Sequence, residues 1–450
     1  LAVAINMQDK EQANGRQSMV MIKSWMTERD IPQTEEPEDE QQEHVQIEER
    51  EPGMLVAGLD IGSTKICAMV GEVFPDRVEI IGVGTAPSSG MRKGVVVNIQ
   101  STVDSIRSAV KEASDMAGCD INQVYVGVAG SHVKAFNSPG IIGINNKEIT
   151  PKEVKEVIEA AQTVKISDNQ SIIHVLAQEY MVDDHTGIQS PLGMTGVRLA
   201  TNVHIVTADI TALHNLTACC SQAGLTTAKV VLESVAAAET VLTRTEKDQG
   251  VGLIDIGGGT TDLAIFSQGT IKHSWELPLG GNNLTSDLSV GLRTPLQEAE
   301  ELKYLYGGAL ASMIKENQMI EVPSVGDRKS RKVSQKILVG ILEARMEEIF
   351  QLIDKNISSS GSRNRINAGL VLTGGTALLP NIVELAEQVF DVPVRIGYPR
   401  NVGGQLEKIN TPRSTTAVGL VLFGANERGA VEQEQDGIVK KLKRLFKGII

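Results

Sequence analysis

Apolar and polar positions first fall into a regular order at Met54. "MLVAGLDIGSTKICAMVGEV" is an apolar run, a Gly-containing turn and a second apolar run, and "VEIIGVGTA" follows the turn "FPDR". Runs of this length bounded by Gly, Pro and Asp predict strands. In "IQSTVDSIRSAVKEASDMAG" the spacing becomes helical and stops at Gly118, a residue suited to closing a helix. "VYVGVAG" predicts another strand. A strand meander followed by helix and strand indicates an α/β domain with a mixed sheet.

The same order returns near position 251 in "VGLIDIGGGTTDLAIFSQGTIKHSWELPLG", again strand, Gly-rich turn, strand, turn, strand. The two Asp-Ile-Gly turns, at Asp60 and Asp255, lie 195 residues apart. An internal duplication follows, with two similar α/β lobes facing each other as its consequence. A third glycine turn closes the strand of "AGLVLTGGTALLP", and "PNIVELAEQVF" predicts the helix after it. Residues 281–365 are mostly helical in pattern, including "PLQEAEELKYLYGG" and "SQKILVGILEARMEEIFQLIDKNI". Residues 131–202 alternate extended stretches with one helix, "TPKEVKEVIEAAQTV", where Thr150, Pro151 and Glu153 carry capping-box chemistry.

Composition narrows the class. The chain has 450 residues, enough for two or more domains, with 41 % apolar and 22 % charged residues. Aromatics are only 3 %, so the cores must rely on Val, Ile, Leu and Ala. A net charge of −13 argues against a broad nucleic-acid-binding surface. Cys67, Cys119, Cys219 and Cys220 show neither zinc spacing nor a disulfide framework; the adjacent Cys219 and Cys220, in a helical pattern, are expected as buried thiols, and a reducing cytosol fits. No apolar run reaches the roughly 18 residues of a membrane span, and "LAVAIN" is too short for a signal-peptide core. Residues 1–53 hold thirteen acids against five bases and are expected to form a disordered acidic arm.

The glycine turns carry the candidate chemistry. A phosphate chain needs backbone N–H donors at close range, and glycine permits that approach because it has no Cβ. Gly62 in "DIGSTK" and Gly257, Gly258 and Gly259 in "DIGGGTTD" are placed for it, with Ser63, Thr64, Thr260 and Thr261 as hydroxyl donors. Lys65 adds a point charge. Asp60 and Asp255, at strand ends, are suited to hold the hydrated Mg²⁺ that accompanies a nucleotide. No Walker loop is present, and each turn leads into a strand.

With these turns the chain resembles the actin-like ATPase superfamily, which includes actin, the heat-shock chaperone ATPases and the sugar kinases. "DIGSTK" looks like its first phosphate motif, "LIDIGGGTTDLAIF" its second, and "VLTGGTALLP", with Gly374, Gly375 and Thr376, its adenosine motif. The resemblance implies ATP and Mg²⁺ as cofactors, held in a cleft between two α/β lobes. It implies that Glu233, which leads "ESVAAAE", orders a hydrolytic water, and that Glu300 and Lys303 in "EAEELK" hold ribose and adenine.

Within the superfamily, residues 54–450 resemble the FtsA family of bacterial cell-division proteins. "IIHVLAQEYMVDD" and "LESVAAAETVLTRTEKDQGVGLIDIGGGTTDLAIF" carry that likeness. It implies subdomain IA at 54–130 and 203–248 with a return at 413–425, and the family's distinctive subdomain IC at 131–202. Subdomain IIA would take 249–280 and 366–412, and IIB 281–365. It further implies a filament-forming adaptor, at most a slow ATPase, that links the tubulin-like FtsZ to the membrane and recruits later division proteins. IIB would receive the C-terminal peptide of FtsZ, with Arg345 and then Lys336 as the best contacts.

The last segment, "GIVKKLKRLFKGII" at 437–450, departs from the acidic whole: five cations and no acid. Ile438, Val439, Leu442, Leu445, Phe446, Ile449 and Ile450 share one face of a helix, with Lys440, Lys441, Lys443, Arg444 and Lys447 on the rest. Fourteen residues span about 21 Å as a helix, too short for a bilayer core of roughly 30 Å. The segment is expected to lie in the membrane interface, each cation worth about 1 kcal/mol on an anionic leaflet. A linker at 426–436 joins it to the domains. The protein is thus expected at the division site, peripheral on the cytoplasmic side of the cell membrane. A small-molecule kinase on the same fold, or a rod-shape or pilus-assembly scaffold, are the competing readings. A kinase has no need of this tail.

Overall fold

The computed structural model describes residues 53–326 and 328–429. The expected acidic arm (save Gly53), the later part of the linker and the basic tail lie outside the described residues.

Two sheets with one topology organise the chain. The first contains Met54–Ile61, Lys65–Val73, Val78–Pro87, Gln123–Val128 and Thr226–Leu232, in the spatial order third, second, first, fourth, fifth. The second contains Val251–Ile256, Thr261–Ser267, Thr270–Leu277, Leu370–Thr373 and Val394–Ile396, in the same order. In each, the first three strands are antiparallel and the last two continue in parallel. The internal repeat is therefore a repeat of sheet topology. Each first strand is central, which is why "VGLIDI" is buried at every position and reads as continuous apolar sequence.

Helix Ile99–Ala117 covers one face of the first sheet. Asn98 starts it by accepting the Ser101 N–H, and Gly118 ends it at φ 66°. The largest core runs from this sheet through Val235, Ala237, Ala238 and Val241 of helix Glu233–Val241 to Leu253 and Ala264 of the second sheet. A second core joins the other face of the second sheet to helices Gly281–Gly291, Leu296–Tyr306, Gln335–Ser359 and Ile382–Phe390. Phe350 and Phe390 meet edge-on in it, 5.3 Å apart. The 281–365 region also holds a hairpin, Met319–Val322 with Arg331–Ser334, which the helical spacing did not announce.

Between the lobes' own strands the chain inserts a separate four-stranded sheet. Its strands are Val133–Glu148, Gln170–Val182, His185–Ile188 and Thr195–Asp209, in the order first, fourth, second, third. Helix Pro151–Gln162 packs on it through Val157 and Ala161, opened by the Thr150/Glu153 capping box.

Three expected boundaries differ from what the structure contains. The division at 202/203 falls inside strand Thr195–Asp209, whose pairing continues through "NVHIVTAD" as the strand passes from a half-exposed stretch to one buried on both faces, Val203 to Ala208 being buried without interruption. The return to the first lobe begins before 413: Gly403–Gly404 pairs with Val78–Pro87, and Ile409 is buried in the first lobe's core. The final described helix runs over 415–429, into the expected linker. Ala, Glu and Arg are good helix formers. Glu427 is paired with Lys229, and Arg428 donates to the Leu55 carbonyl at 3.2 Å, so these residues are held to the first lobe.

Cys67, Cys219 and Cys220 are buried free thiols, and burial pushes Cys67 and Cys220 up to about 11. Neither is a nucleophile at neutral pH.

Candidate functional site

The two Asp-Ile-Gly turns are built alike. In each, the glycine N–H closes a four-residue loop: Gly62 to the Lys65 carbonyl at 3.1 Å, and Gly257 to the Thr260 carbonyl at 3.0 Å. They meet across a cleft of about 1160 Å³, large enough for a nucleotide-sized ligand. Asp60, Gly62, Ser63, Thr64, Lys65, Glu233, Asp255, Gly257, Gly258, Gly259, Thr260, Glu300, Lys303, Gly374, Gly375 and Thr376 all line it. These residues come from five separate parts of the sequence.

Thr261 does not line it. It is buried, and its hydroxyl donates to the Leu279 carbonyl at 2.9 Å. Alternation explains this. The hairpin pairs Ile256 with Thr261 and Asp255 with Asp262, so Asp262 shares the cleft face with Asp255 while Thr261 faces away. Counting outward from the turn identifies Asp262, which the motif reading missed.

The register continues to the third strand, where Glu276 lies opposite Asp262. Asp255, Asp262 and Glu276 thus form a row of buried carboxyls across the second sheet. The first sheet has Asp60, Cys67 and Thr85 in the equivalent register, so the acidic charge is concentrated on one lobe. Burial raises Asp255 to about 6 and Glu276 to about 7, pushes Asp262 well above its ordinary value and raises Asp60. Glu233 opens the first turn of its helix and faces the same space. Burial, then the charges of Asp60, Asp262 and Asp255, push it well above its ordinary value. Oδ1 of Asp262 and Oε1 of Glu276 have no hydrogen-bond partner. A site of this kind favours a cation.

Close backbone approach is visible at the glycines. A Cβ on Gly258 would stand 1.9 Å from Thr64 Oγ1, and one on Gly259 2.4 Å from Ser63 Oγ. Gly94 N–H donates to Ser63 Oγ at 3.2 Å, and the Lys65 ammonium donates to the Arg413 carbonyl at 2.7 Å. The second loop is also tied to the helix beside it, since Gly257 and Gly258 carbonyls accept the N–H groups of Gly281 and Asn282.

Further out, Lys303 Nζ reaches Glu300 Oε2 and Thr285 Oγ1, each at 2.7 Å, and the Gly281 carbonyl at 3.1 Å. Helix Leu296–Tyr306 presents Glu300 and Lys303 one turn apart to the cleft. Leu284, Tyr304, Leu305, Leu378, Leu379 and Pro380 make this end apolar. Thr376 donates to the Gly257 carbonyl at 3.0 Å, joining the third turn to the second. Thr416 donates to Asp255 Oδ2 at 2.9 Å. Thr411, Pro412, Arg413 and Thr416 also line the cleft and were missed. Their signal was "TPRST", a helix start with Pro in its first turn.

Outside the cleft, Arg345 lies on helix Gln335–Ser359 and is already paired, Nη2 donating to Asp287 Oδ1 at 3.1 Å and Nη1 contacting Glu348. Lys336, on the same helix, is exposed.

Comparison with known proteins follows the same outline. The family model described as "Cell division protein FtsA" matches residues 252–419, and that described as "SHS2 domain inserted in FTSA" matches 130–207. The latter range corresponds to the inserted four-stranded sheet. The "Cell division protein FtsA" of Pseudomonas aeruginosa is 45% identical over 86% of this chain and 91% of its own. That of Neisseria meningitidis is 44% identical over 86% of this chain and 94% of its own. Among solved structures, a "PilM-PilN type IV pilus biogenesis complex" chain aligns with TM-score 0.60 and 16% identity, over 83% of this chain and 99% of that one. MreB5 of Spiroplasma citri bound to ADP aligns with TM-score 0.53 and 16% identity, over 84% and 98%. These likenesses to solved structures establish the actin-like fold.

Proposed function

The chain belongs to the FtsA family of actin-like cell-division proteins, and from that premise we propose that it binds ATP with Mg²⁺ between its lobes, polymerises under the membrane and ties FtsZ filaments to it. The observation that carries the nucleotide reading is the convergence of two equivalent glycine loops with buried acids at one end of a cleft and an apolar wall at the other. Gly62 and Gly257 to Gly259 would cradle the phosphates, and Glu300, Lys303 and Gly374 to Thr376 the nucleoside. Asp60 and Asp255 would hold Mg²⁺ through water. Among the described residues no three His, Cys, Asp or Glu side chains converge on a bare ion. Bound there, Mg²⁺ would neutralise phosphate charge. Glu233 would order the attacking water, in an adaptor that hydrolyses ATP slowly at most.

Among the described residues no helix is long and apolar enough to cross a membrane. The basic segment 437–450 is the proposed anchor. Removing it should leave the lobes folded and release the chain from anionic vesicles. Phe446→Glu should nearly do the same, because a charge on the apolar face must be desolvated or lift the helix out. Lys443→Glu should weaken binding partially and more at high salt. Vesicle sedimentation ranks the three, and a truncated chain that still pellets would put the membrane contact elsewhere.

For FtsZ, the 281–365 region supports an acidic-apolar peptide by combining exposed cations with exposed apolar side chains such as Met319, Val325 and Ile337. Arg345→Glu would set a third acid against Asp287 and Glu348, so weakened binding there would mix repulsion with local damage. Lys336→Glu is the cleaner variant. A several-fold weakening of the FtsZ C-terminal peptide, read by fluorescence anisotropy, is expected. Unchanged affinity would remove Lys336 from the site.

A further inference from the structure

The stretch "IIHVLAQEYMVDD" marked the family likeness, yet the cleft uses none of it. All of it but the final Asp183 and Asp184 lies in strand Gln170–Val182 of the inserted sheet, where His174, Leu176 and Gln178 point to one face by alternation. That face meets both lobes. His174 is buried, and its Nε2 accepts the N–H of Leu232 at 3.0 Å. Leu232 is the residue before Glu233, and the helix that Glu233 opens has no side-chain cap of its own. A histidine of the insert therefore holds the strand-to-helix corner that aims Glu233 into the cleft. Phe423 stands edge-on to its ring at 5.9 Å, which fixes the ring plane.

Four residues on, roughly 13 Å along the strand, Gln178 Nε2 donates to the Ile271 carbonyl at 2.8 Å and to Asn137 Oδ1 at 3.1 Å. Asn137 Nδ2 donates to the Lys272 carbonyl at 3.0 Å. His204 completes the junction, with Nδ1 2.7 Å from Asn137 Oδ1 and Nε2 2.9 Å from Ser274 Oγ. Ile271, Lys272 and Ser274 lie on Thr270–Leu277, the outer strand of the second sheet, which also carries Glu276. Buried side-chain hydrogen bonds of this kind are costly to break singly, since the partner is left unpaired.

We propose that strand Gln170–Val182 is a strut between the lobes, in which His174 is a positioning residue for Glu233 and Gln178 fastens the second lobe. Resting on the nucleotide reading above, it makes closure of the cleft a change that the inserted sheet registers directly.

Hydrogen exchange of the full chain, with and without a non-hydrolysable ATP analogue and Mg²⁺, tests this. In the wild type the analogue should slow exchange in both glycine loops and in 170–182. His174→Leu, apolar and of similar size, should speed exchange at 232–236 by about tenfold or more and abolish the response of 170–182 while the loops stay protected. His174→Gln, whose amide oxygen can accept the Leu232 N–H, should restore both. A response of 170–182 that persists in His174→Leu and in Gln178→Leu overturns the strut. Loops unprotected in the wild type would instead overturn the nucleotide reading. The strut would then stand or fall without ligand: Gln178→Leu must loosen 232–236, which Gln178 does not touch, and unchanged exchange there overturns the coupling.

Discussion

Gly258→Val should reduce affinity for a fluorescent ATP analogue by at least about 100-fold, ~3 kcal/mol, while circular dichroism stays close to wild type. The glycine turn alone gives one reason, since a branched side chain occupies the space through which phosphate oxygens approach backbone N–H groups. The structure adds a stronger one. A Cβ at 258 would stand 1.9 Å from Thr64 Oγ1 and 3.1 Å from its Cβ, and Thr64 belongs to the opposite loop. Valine at this position is therefore a wedge between the lobes as well as a plug in the phosphate site. Thr64 is exposed and its side chain can turn aside, so the fold should survive. Unchanged affinity would mean that the loops do not hold the phosphates.

Gly374→Ala should act through stability and binding together. Gly374 has φ 86° and ψ 171°, a conformation essentially restricted to glycine. Its Cβ would stand 2.3 Å from Asp255 Oδ1, 2.5 Å from the Ile256 carbonyl oxygen and 2.7 Å from that carbonyl's carbon. Two of these atoms are backbone of a wholly buried central strand and cannot move aside cheaply. Backbone strain of about 1–3 kcal/mol and overpacking of a similar size should add. A loss of about 3 kcal/mol or more is a large part of the 5–15 kcal/mol typical of a domain. Chemical denaturation should show a lower midpoint, and the folded fraction should bind the analogue weakly because Asp255 is displaced. A midpoint within error of wild type would contradict the geometry.

Much of the fold was legible because it depends on local pattern. The repeat of Asp-Ile-Gly hairpins at 60 and 255 is enough to foresee two lobes of one topology, since each hairpin fixes an antiparallel register and the following apolar runs can only extend the same sheet. The Thr150/Glu153 capping box was visible for the same reason. What depended on distant packing was not. Nothing in "NVGGQLEKI" says that Gly403–Gly404 adds to the first sheet, because a two-residue parallel pairing carries no periodicity. Short hairpin strands such as Met319–Val322 are masked by the helices on either side.

The site divides in the same way. Loop residues were found from glycine chemistry, and Glu300 and Lys303 from resemblance. Asp262 was one step of strand register away and Thr261 was on the wrong face, an error of alternation rather than of chemistry. Arg413 and Thr416 were missed because the chain reaches the cleft once more only after crossing back from the second lobe. The pairing of Arg345 with Asp287, 58 residues away, could not be read from the helix that carries it.

Under the function we propose, this chain ties FtsZ to a membrane. Flotation of anionic vesicles with FtsZ polymers, Mg²⁺ and ATP, in the presence and absence of the 450-residue chain, is the test. FtsZ should float only when the chain is present, and should remain at the bottom when 437–450 are removed. Vesicles that carry the chain upward while FtsZ stays in the dense fraction would show that the chain does not tether FtsZ.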